Sequence, residues 1–270
     1  MKFVTKTLLT GSLLASSALV IAGDATPPSP ITGSLALTSD YIFRGLSQTQ
    51  EKPAIQGGLT YTHANGFHAG LWGSNIDFKS KDNPSAYEDG ANMEVDIGMG
   101  YGGKISDTVT WDVSATYYSY PGSNVNGTSK YGFWEILPTL VYDFGSAKVT
   151  GSLAYSPDFF GNAKSGTYLM AALDVPLPAD FALNAHIGEQ WLKADKNSGL
   201  PQTFVDITTT PGYIPKNYSE WKLGISKQIA GVGLELAYFD TSLNKDKCLA
   251  FQGQKDLCGG RAVLTVSKTF

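Results

Sequence analysis

Apolar and polar residues alternate along most of the chain between Ile31 and Phe270, in segments of about ten residues separated by breaks. Twelve such segments can be placed, and the breaks between them are alternately long and short. A period of two puts successive side chains on opposite faces of a β-strand. Long loops at one edge and short turns at the other are typical of a closed barrel that crosses an outer membrane. The pattern therefore predicts an all-β fold, a transmembrane antiparallel up-and-down β-barrel of twelve strands.

The short breaks are the predicted periplasmic turns, and the long polar breaks are the predicted extracellular loops. An even number of strands places both ends of the barrel on the periplasmic side. The short breaks lie around Asn65–Gly66, Gly102–Gly103, Gly145–Ser146, Pro178–Asp180 and Ala230–Gly231.

The fourth segment separates the two faces most clearly. Met93, Ile97 and Met99 point one way, towards lipid, while Glu94 and Asp96 point the other way, into the lumen. Three further segments are predicted with less regular alternation: Ile31 to Arg44, Phe67 to Asp77, and Phe133 to Phe144.

The range from Trp191 to Asn217 allows two interpretations. Thr203 to Thr210 is rich in β-prone residues, so an extra hairpin and a barrel of fourteen strands is the alternative. The range lacks an apolar face long enough to span a membrane, which favours an extracellular loop or a constriction loop folded inward.

The first residues predict export. Lys2 and Lys6 precede an apolar stretch from Leu8 to Ile21, so residues 1–22 are a predicted secretory signal peptide and residues 23–270 a single barrel domain. Charged residues make up 16% of the chain, below the roughly 25% of soluble domains. The net charge is −4 and Lys and Arg form no cluster, which argues against nucleic acid as a partner.

Two features near the end of the chain fit an exported barrel. Cys248 and Cys258 lie in the last long loop, where an oxidising compartment favours a disulfide over two free thiols. The last segment ends at Phe270, and it resembles the assembly signal of Gram-negative outer-membrane barrels. We therefore expect location in the outer membrane, with outer-membrane lipid, lipopolysaccharide and the barrel-assembly machinery as partners.

The lumen-facing positions carry more acids than bases, and rings of acidic side chains favour cations. We predict a porin-like channel for passive passage of small hydrophilic solutes, with a weak cation preference. The alternative is a structural or adhesive barrel whose charged residues pair across the strands and fill the lumen, because twelve strands lie between filled and open barrels. The predicted pore-lining residues are Asp40, Arg44, Glu94, Asp96, Asp112, Glu135, Lys148, Asp174, His186, Glu220, Lys222, Glu235 and Arg261.

Other candidate chemistry is weaker. Gly98 to Gly103 matches a G-x-G-x-x-G motif by letter, but it lies in a predicted strand and turn rather than at the start of a helix. A lipid hydrolase is the least favoured alternative, because no serine motif accompanies His63, His68 or His186. We expect no enzymatic activity, no cofactor and no metal site.

The whole mature chain resembles the TorF family of porin-like outer-membrane proteins. The resemblance rests on Ser39 to Gln48, Tyr155 to Gly161, Trp221 to Gly224, Ala237 to Thr241 and Cys258 to Phe270. It implies an outer-membrane barrel with a channel role, and it brings neither a substrate nor catalytic residues. Lys268 departs from the aromatic or apolar residue expected near the end of such barrels.

Overall fold

The computed structural model describes residues 29–78, 91–123, 131–160, 164–193 and 216–270. Within these ranges, twelve antiparallel strands form a closed barrel, which confirms the predicted fold class and strand number. The barrel strands are β1 (Ile31–Thr38), β4 (Ala54–Thr62), β5 (Phe67–Asn75), β6 (Met93–Lys104), β7 (Val109–Ser119), β8 (Phe133–Asp143), β9 (Lys148–Ser156), β10 (Ser165–Pro176), β11 (Phe181–Lys193), β12 (Asn217–Ile229), β13 (Val232–Thr241) and β14 (Arg261–Thr269). A two-stranded hairpin of β2 (Ile42–Phe43) and β3 (Leu46–Ser47) and one helix, α1 (Lys245–Gln252), complete the described elements.

The alternation of side chains decides which face of each strand meets the membrane. On β6, Met93, Ile97 and Met99 are exposed on the outer wall, whereas Glu94 and Asp96 are buried inside. A charged side chain on the lipid face costs roughly 2–4 kcal/mol at mid-depth, so polar residues are stable only on the inner face or near the rims. The two faces predicted for this segment are confirmed.

The barrel closes between its first and last strands. β14 pairs with β1, and β1 pairs in turn with β4, so the wall has no free edge along the paired length. Phe270 adds two backbone hydrogen bonds to Gly33, of 2.8 and 3.0 Å. The closure satisfies backbone donors and acceptors that lipid cannot satisfy.

One predicted turn is wrong. Gly102 and Gly103 belong to β6, and the turn to β7 comes later, at residues 105–108. A side chain on Gly66 in the neighbouring turn would overlap the Gly102 carbonyl, and the Gly102 amide donates to Gly66 at 3.1 Å. Gly102 therefore permits a close approach of the neighbouring turn and does not form a reversal itself.

The first strand is also shorter than predicted. β1 ends at Thr38, not at Arg44, and the chain leaves the wall there. The Ser39 amide still donates to Leu264 of β14 at 2.9 Å, but Asp40 and Arg44 are not on a barrel strand. Residues 40–50 fold into the barrel interior instead, and we call them the inward segment.

Two of the predicted segments lie partly or wholly outside the described residues. The predicted signal peptide, residues 1–22, lies outside the described residues, as do residues 194–215 of the predicted extracellular loop. Trp191 belongs to β11, and Asn217 is the first residue of β12. Among the described residues, no helix is long and apolar enough to cross a membrane.

Candidate functional site

The inward segment is anchored at its start by a buried carboxylate. Asp40 accepts hydrogen bonds from the hydroxyls of Ser47 and Thr49 at 2.7 and 2.8 Å. Arg261 of β14 pairs with the same carboxylate at 3.1 Å. Two residues predicted to line the pore, Asp40 and Arg261, are thus brought together, and their contact holds the inward segment against the wall.

The tip of the inward segment is the turn between β2 and β3. Arg44 and Gly45 both have positive φ, 49° and 79°, as a two-residue hairpin turn of type I′ requires. Glycine adopts this conformation readily, but arginine rarely does. The contacts of the Arg44 side chain compensate for this cost.

Arg44 reaches across the lumen to the opposite wall. Its guanidinium donates to Glu135 of β8 at 2.6 Å and to Gln190 of β11 at 2.8 Å. The guanidinium carbon also lies 4.4 Å from the centre of the Tyr168 ring. A buried guanidinium with a carboxylate, an amide oxygen and an aromatic face is well compensated for its loss of water. The inward segment therefore spans the barrel interior rather than lining one side.

Aromatic rings surround the inward segment at the long-loop end. The Tyr41 and Trp72 rings meet edge to face at 5.4 Å, and the Tyr118 and Phe133 rings stack at 4.4 Å. These residues belong to one buried cluster with Tyr120. Such rings bury large apolar areas and favour these arrangements, so the cluster packs inside this end of the lumen and narrows it.

The disulfide loop, residues 242–260, packs onto the inward segment from the long-loop side. The predicted bond between Cys248 and Cys258 is present. Both cysteines pack with Leu46 of β3 in one buried cluster. The Ser47 amide donates to the Leu257 carbonyl at 2.9 Å. The cross-linked loop therefore covers the inward segment and holds its second strand.

Further polar pairs lie on the lumen wall. Lys222 on β12 bonds to Glu235 on β13 at 2.7 Å, within the wall. His186 on β11 contacts Glu220 on β12 at 2.9 Å, and the Tyr168 hydroxyl donates to the same buried carboxylate. Four of the predicted pore-lining residues thus pair across neighbouring strands, as the alternative of a filled lumen predicts.

A second contact between a histidine and a carboxylate was not predicted from the sequence. His68 lies on the lumen face of β5 and contacts Asp112 of β7 across the intervening β6, at 2.6 Å. Alternation along β5 gives the signal, since His68 has the same parity as the buried Ser74.

Glu94 and Asp96, which we call the acid pair, follow one another on the lumen face of β6. The Tyr41 hydroxyl donates to Glu94 at 3.0 Å. Tyr41 lies outside the spanning strands, and burial raises the pKa of its hydroxyl well above its usual value, with the Glu94 charge raising it further. The hydroxyl consequently remains a proton donor to Glu94 at physiological pH.

The lumen is less filled towards the short-turn end. On β10, Tyr168 is buried, but Ala172 and Asp174 further along the same face are only half-buried. Asp174 accepts a hydrogen bond from Asn184 at 3.3 Å. Lys148 pairs with Asp143 at 3.5 Å near the rim. These two predicted pore-lining residues lie far along the wall from the inward segment and outside its contacts.

One protein family matches almost the whole chain. The model of one family, described as "Bacterial protein of unknown function (Gcw_chp)", matches residues 22–270. The chain belongs to the Gcw_chp family. No curated protein matches it. The TorF name is not confirmed by this description and stays a prediction.

Solved structures with a similar fold include two porins. A KdgM porin has a TM-score of 0.53 and 8% identity over 88% of this chain and 99% of its own. A NanC porin has a TM-score of 0.52 and 9% identity over 88% of this chain and 98% of its own. KdgM has also been solved in complex with disordered oligogalacturonate, with a TM-score of 0.52, 9% identity, and coverage of 89% of this chain and 98% of that one. The fold of this Gcw_chp chain is therefore that of outer-membrane porins.

Proposed function

We infer that this Gcw_chp barrel is an outer-membrane channel for small hydrophilic solutes, and that the inward segment forms its constriction. The observation that carries this proposal is the contact of Arg44 with Glu135 and Gln190 on the opposite wall. A charged constriction above a wider polar lumen is the arrangement that a selective pore needs. The porin fold of the structural neighbours supports the same function.

The charge balance supports a weak preference for cations. Asp40, Glu135 and Glu235 are each paired with a base, whereas the acid pair has no basic partner among the ion pairs of the described residues. Oligogalacturonate, the ligand of the solved KdgM complex, is itself acidic. We therefore propose a different class of solute for this chain.

A structural barrel with a filled lumen is the second candidate, and the same ion pairs favour it. The difference is whether the inward segment moves. In a channel, the segment leaves room for solute beside it or swings out of the lumen. In a filled barrel, it stays bound to Glu135 and Gln190.

The proposal is tested by swelling of liposomes that contain the purified protein. The probes are glycine, glucose and sucrose, and a variant in which residues 42–47 are replaced by a Gly-Ser linker is measured beside the wild type. Uptake of the smaller probes by the wild type, with faster uptake by the variant, supports a channel. Swelling of the variant alone identifies a filled barrel, and no swelling of either protein contradicts both the channel and the assigned constriction. Heat-modifiable gel mobility shows that each barrel is folded.

Histidines contact carboxylates in the lumen, and lipid hydrolysis is therefore also a function to test. Each ring nitrogen for which the structure gives a partner in the lumen faces a carboxylate, Asp112 or Glu220. A carboxylate partner alone does not activate a nucleophile, because a triad also needs a hydroxyl or thiol at the other ring nitrogen. No such contact is given for either ring among the described residues, so we assign both histidines a lining role. Turnover of labelled phospholipid by the wild type, lost in His186→Ala, would reverse this assignment.

A further inference from the structure

The acid pair is buried and has no basic partner among the ion pairs of the described residues. Glu94 is 1% exposed and Asp96 is 9% exposed. Glu94 accepts from the Tyr41 hydroxyl, and a hydrogen bond also joins it to Asp96. A hydrogen bond between two carboxyl groups requires a proton on one of them, so the pair carries at most one negative charge, in an environment from which water is largely removed.

The neighbouring charges do not neutralise the acid pair. Asp96 also interacts electrostatically with Glu135, which adds repulsion. The cation beside Glu135 is Arg44, and its two shortest bonds go to Glu135 and Gln190. An isolated buried charge is strongly unfavourable unless it is paired. A positively charged group at this position would supply the missing partner.

A second observation points to a ligand at the same place. The Oδ1 atom of Asp96 is buried and has no hydrogen-bond partner within the part of the chain that the structure describes. The same holds for the Oε1 atom of Glu135. Buried polar atoms are nearly always bonded to protein, water or ligand. Two acceptors are therefore available on the inner wall, one on the acid pair itself and one on Glu135.

The surroundings define the chemistry of the cation. In the sheet, Asp96 lies directly opposite Trp72 of β5 and Tyr118 of β7, so an aromatic side chain stands on each side of it. Aromatic faces attract organic cations, and carboxylate oxygens accept from their N–H groups. Among the described residues, no group of three or more histidines, cysteines or acids has an arrangement that could hold a metal ion.

We propose that the acid pair, with Trp72 and Tyr118, is a binding subsite for the ammonium or guanidinium group of a solute. The subsite rests on the proposed channel function and gives it a substrate class, small organic cations. It lies on β6 beside the inward segment, because Tyr41 of that segment bonds to Glu94. A solute that occupies the subsite is thus held at the level of the constriction.

Calorimetric titration of the folded protein in detergent tests the subsite independently of transport. The probes are agmatine, which carries a guanidinium and an ammonium group, together with potassium and tetramethylammonium ions. We expect one saturable site for agmatine, at least tenfold tighter than for either comparison ion, because neither comparison ion can donate a hydrogen bond. Asp96→Asn keeps the shape of the side chain and is expected to weaken agmatine binding at least tenfold.

Two more variants keep the result interpretable. Glu94→Gln makes the equivalent change at the other acid and is expected to weaken binding similarly, so the test stands if one variant does not fold. Asp107→Asn removes a charge from the exposed turn after β6 and should bind agmatine as the wild type does. Agmatine binding no tighter than potassium, or unchanged binding in both acid-pair variants, would overturn the subsite. Liposome swelling of the same preparations shows separately whether the channel function holds.

Discussion

Replacement of Arg44 by alanine is the single substitution that tests the proposed constriction most directly. The guanidinium is buried between Glu135, Gln190 and the Tyr168 ring, with its nitrogens 2.6 and 2.8 Å from the two oxygens. Removing one partner of a buried ion pair leaves the other charge uncompensated and costs roughly 3–5 kcal/mol. This cost falls on the state in which the inward segment is bound to the opposite wall.

The expected effect on gating follows from this free energy. A change of 3 kcal/mol shifts a two-state equilibrium by roughly 100-fold, since each 1.4 kcal/mol is a factor of ten. Single-channel recording in planar bilayers should therefore show a ratio of open to closed time about two orders of magnitude higher in Arg44→Ala. The double variant Arg44→Ala with Glu135→Ala removes the stranded charge and should return part of the way to the wild type.

Lys227→Ala is the matched control. Its ammonium also packs on an aromatic ring, 4.4 Å from the centre of Phe181, but at the short-turn end of the outer wall. It should leave gating unchanged. If Arg44→Ala has the open probability of the wild type while its barrel is folded, the assignment of Arg44 as the anchor of the constriction is wrong.

Two further predictions concern the elements that hold the inward segment. Cys248→Ser with Cys258→Ser should raise the open probability, because the disulfide loop covers β3. The same double variant should lower the free energy of unfolding by about 3 kcal/mol in the chain-entropy model. Channel recordings with and without reductant measure the first effect, and urea titration measures the second. Gly45→Ala should also raise the open probability, since its Cβ would lie 2.8 Å from the Glu220 Cβ and its φ is +79°; an unchanged recording would mean that the hairpin tip tolerates displacement.

The strands and their two faces could be predicted because alternation is a local property of the chain. Met93 to Asp96 show this, since each side chain lies on the predicted face of β6. A strand buried in lipid on one side and in a polar lumen on the other tolerates little departure from this order. The prediction that acids line the lumen rests on the same parity.

The inward segment could not be predicted in the same way. Residues 41–43 continue the β-prone composition of β1, so the sequence gives little indication that the chain leaves the wall after Thr38. Arg44-Gly45 indicates only the tip of the hairpin. The contacts that define the constriction are also distant in sequence: Arg44 and Gln190 are 146 positions apart. Alternation predicts that both face inward but gives no information on whether they touch, and for that reason an open pore and a filled lumen remained alternatives.

The most direct test of the central claim is ion flow through the folded wild-type protein in a planar bilayer under a gradient of potassium chloride. The account predicts discrete conductance steps and a reversal potential on the side of cation selectivity, reduced in Asp96→Asn. A bilayer that stays silent with the folded wild type would contradict the channel, and steps seen only in Arg44→Ala or after reduction of the disulfide would identify a filled barrel. Steps with anion selectivity would contradict the role assigned to the acid pair.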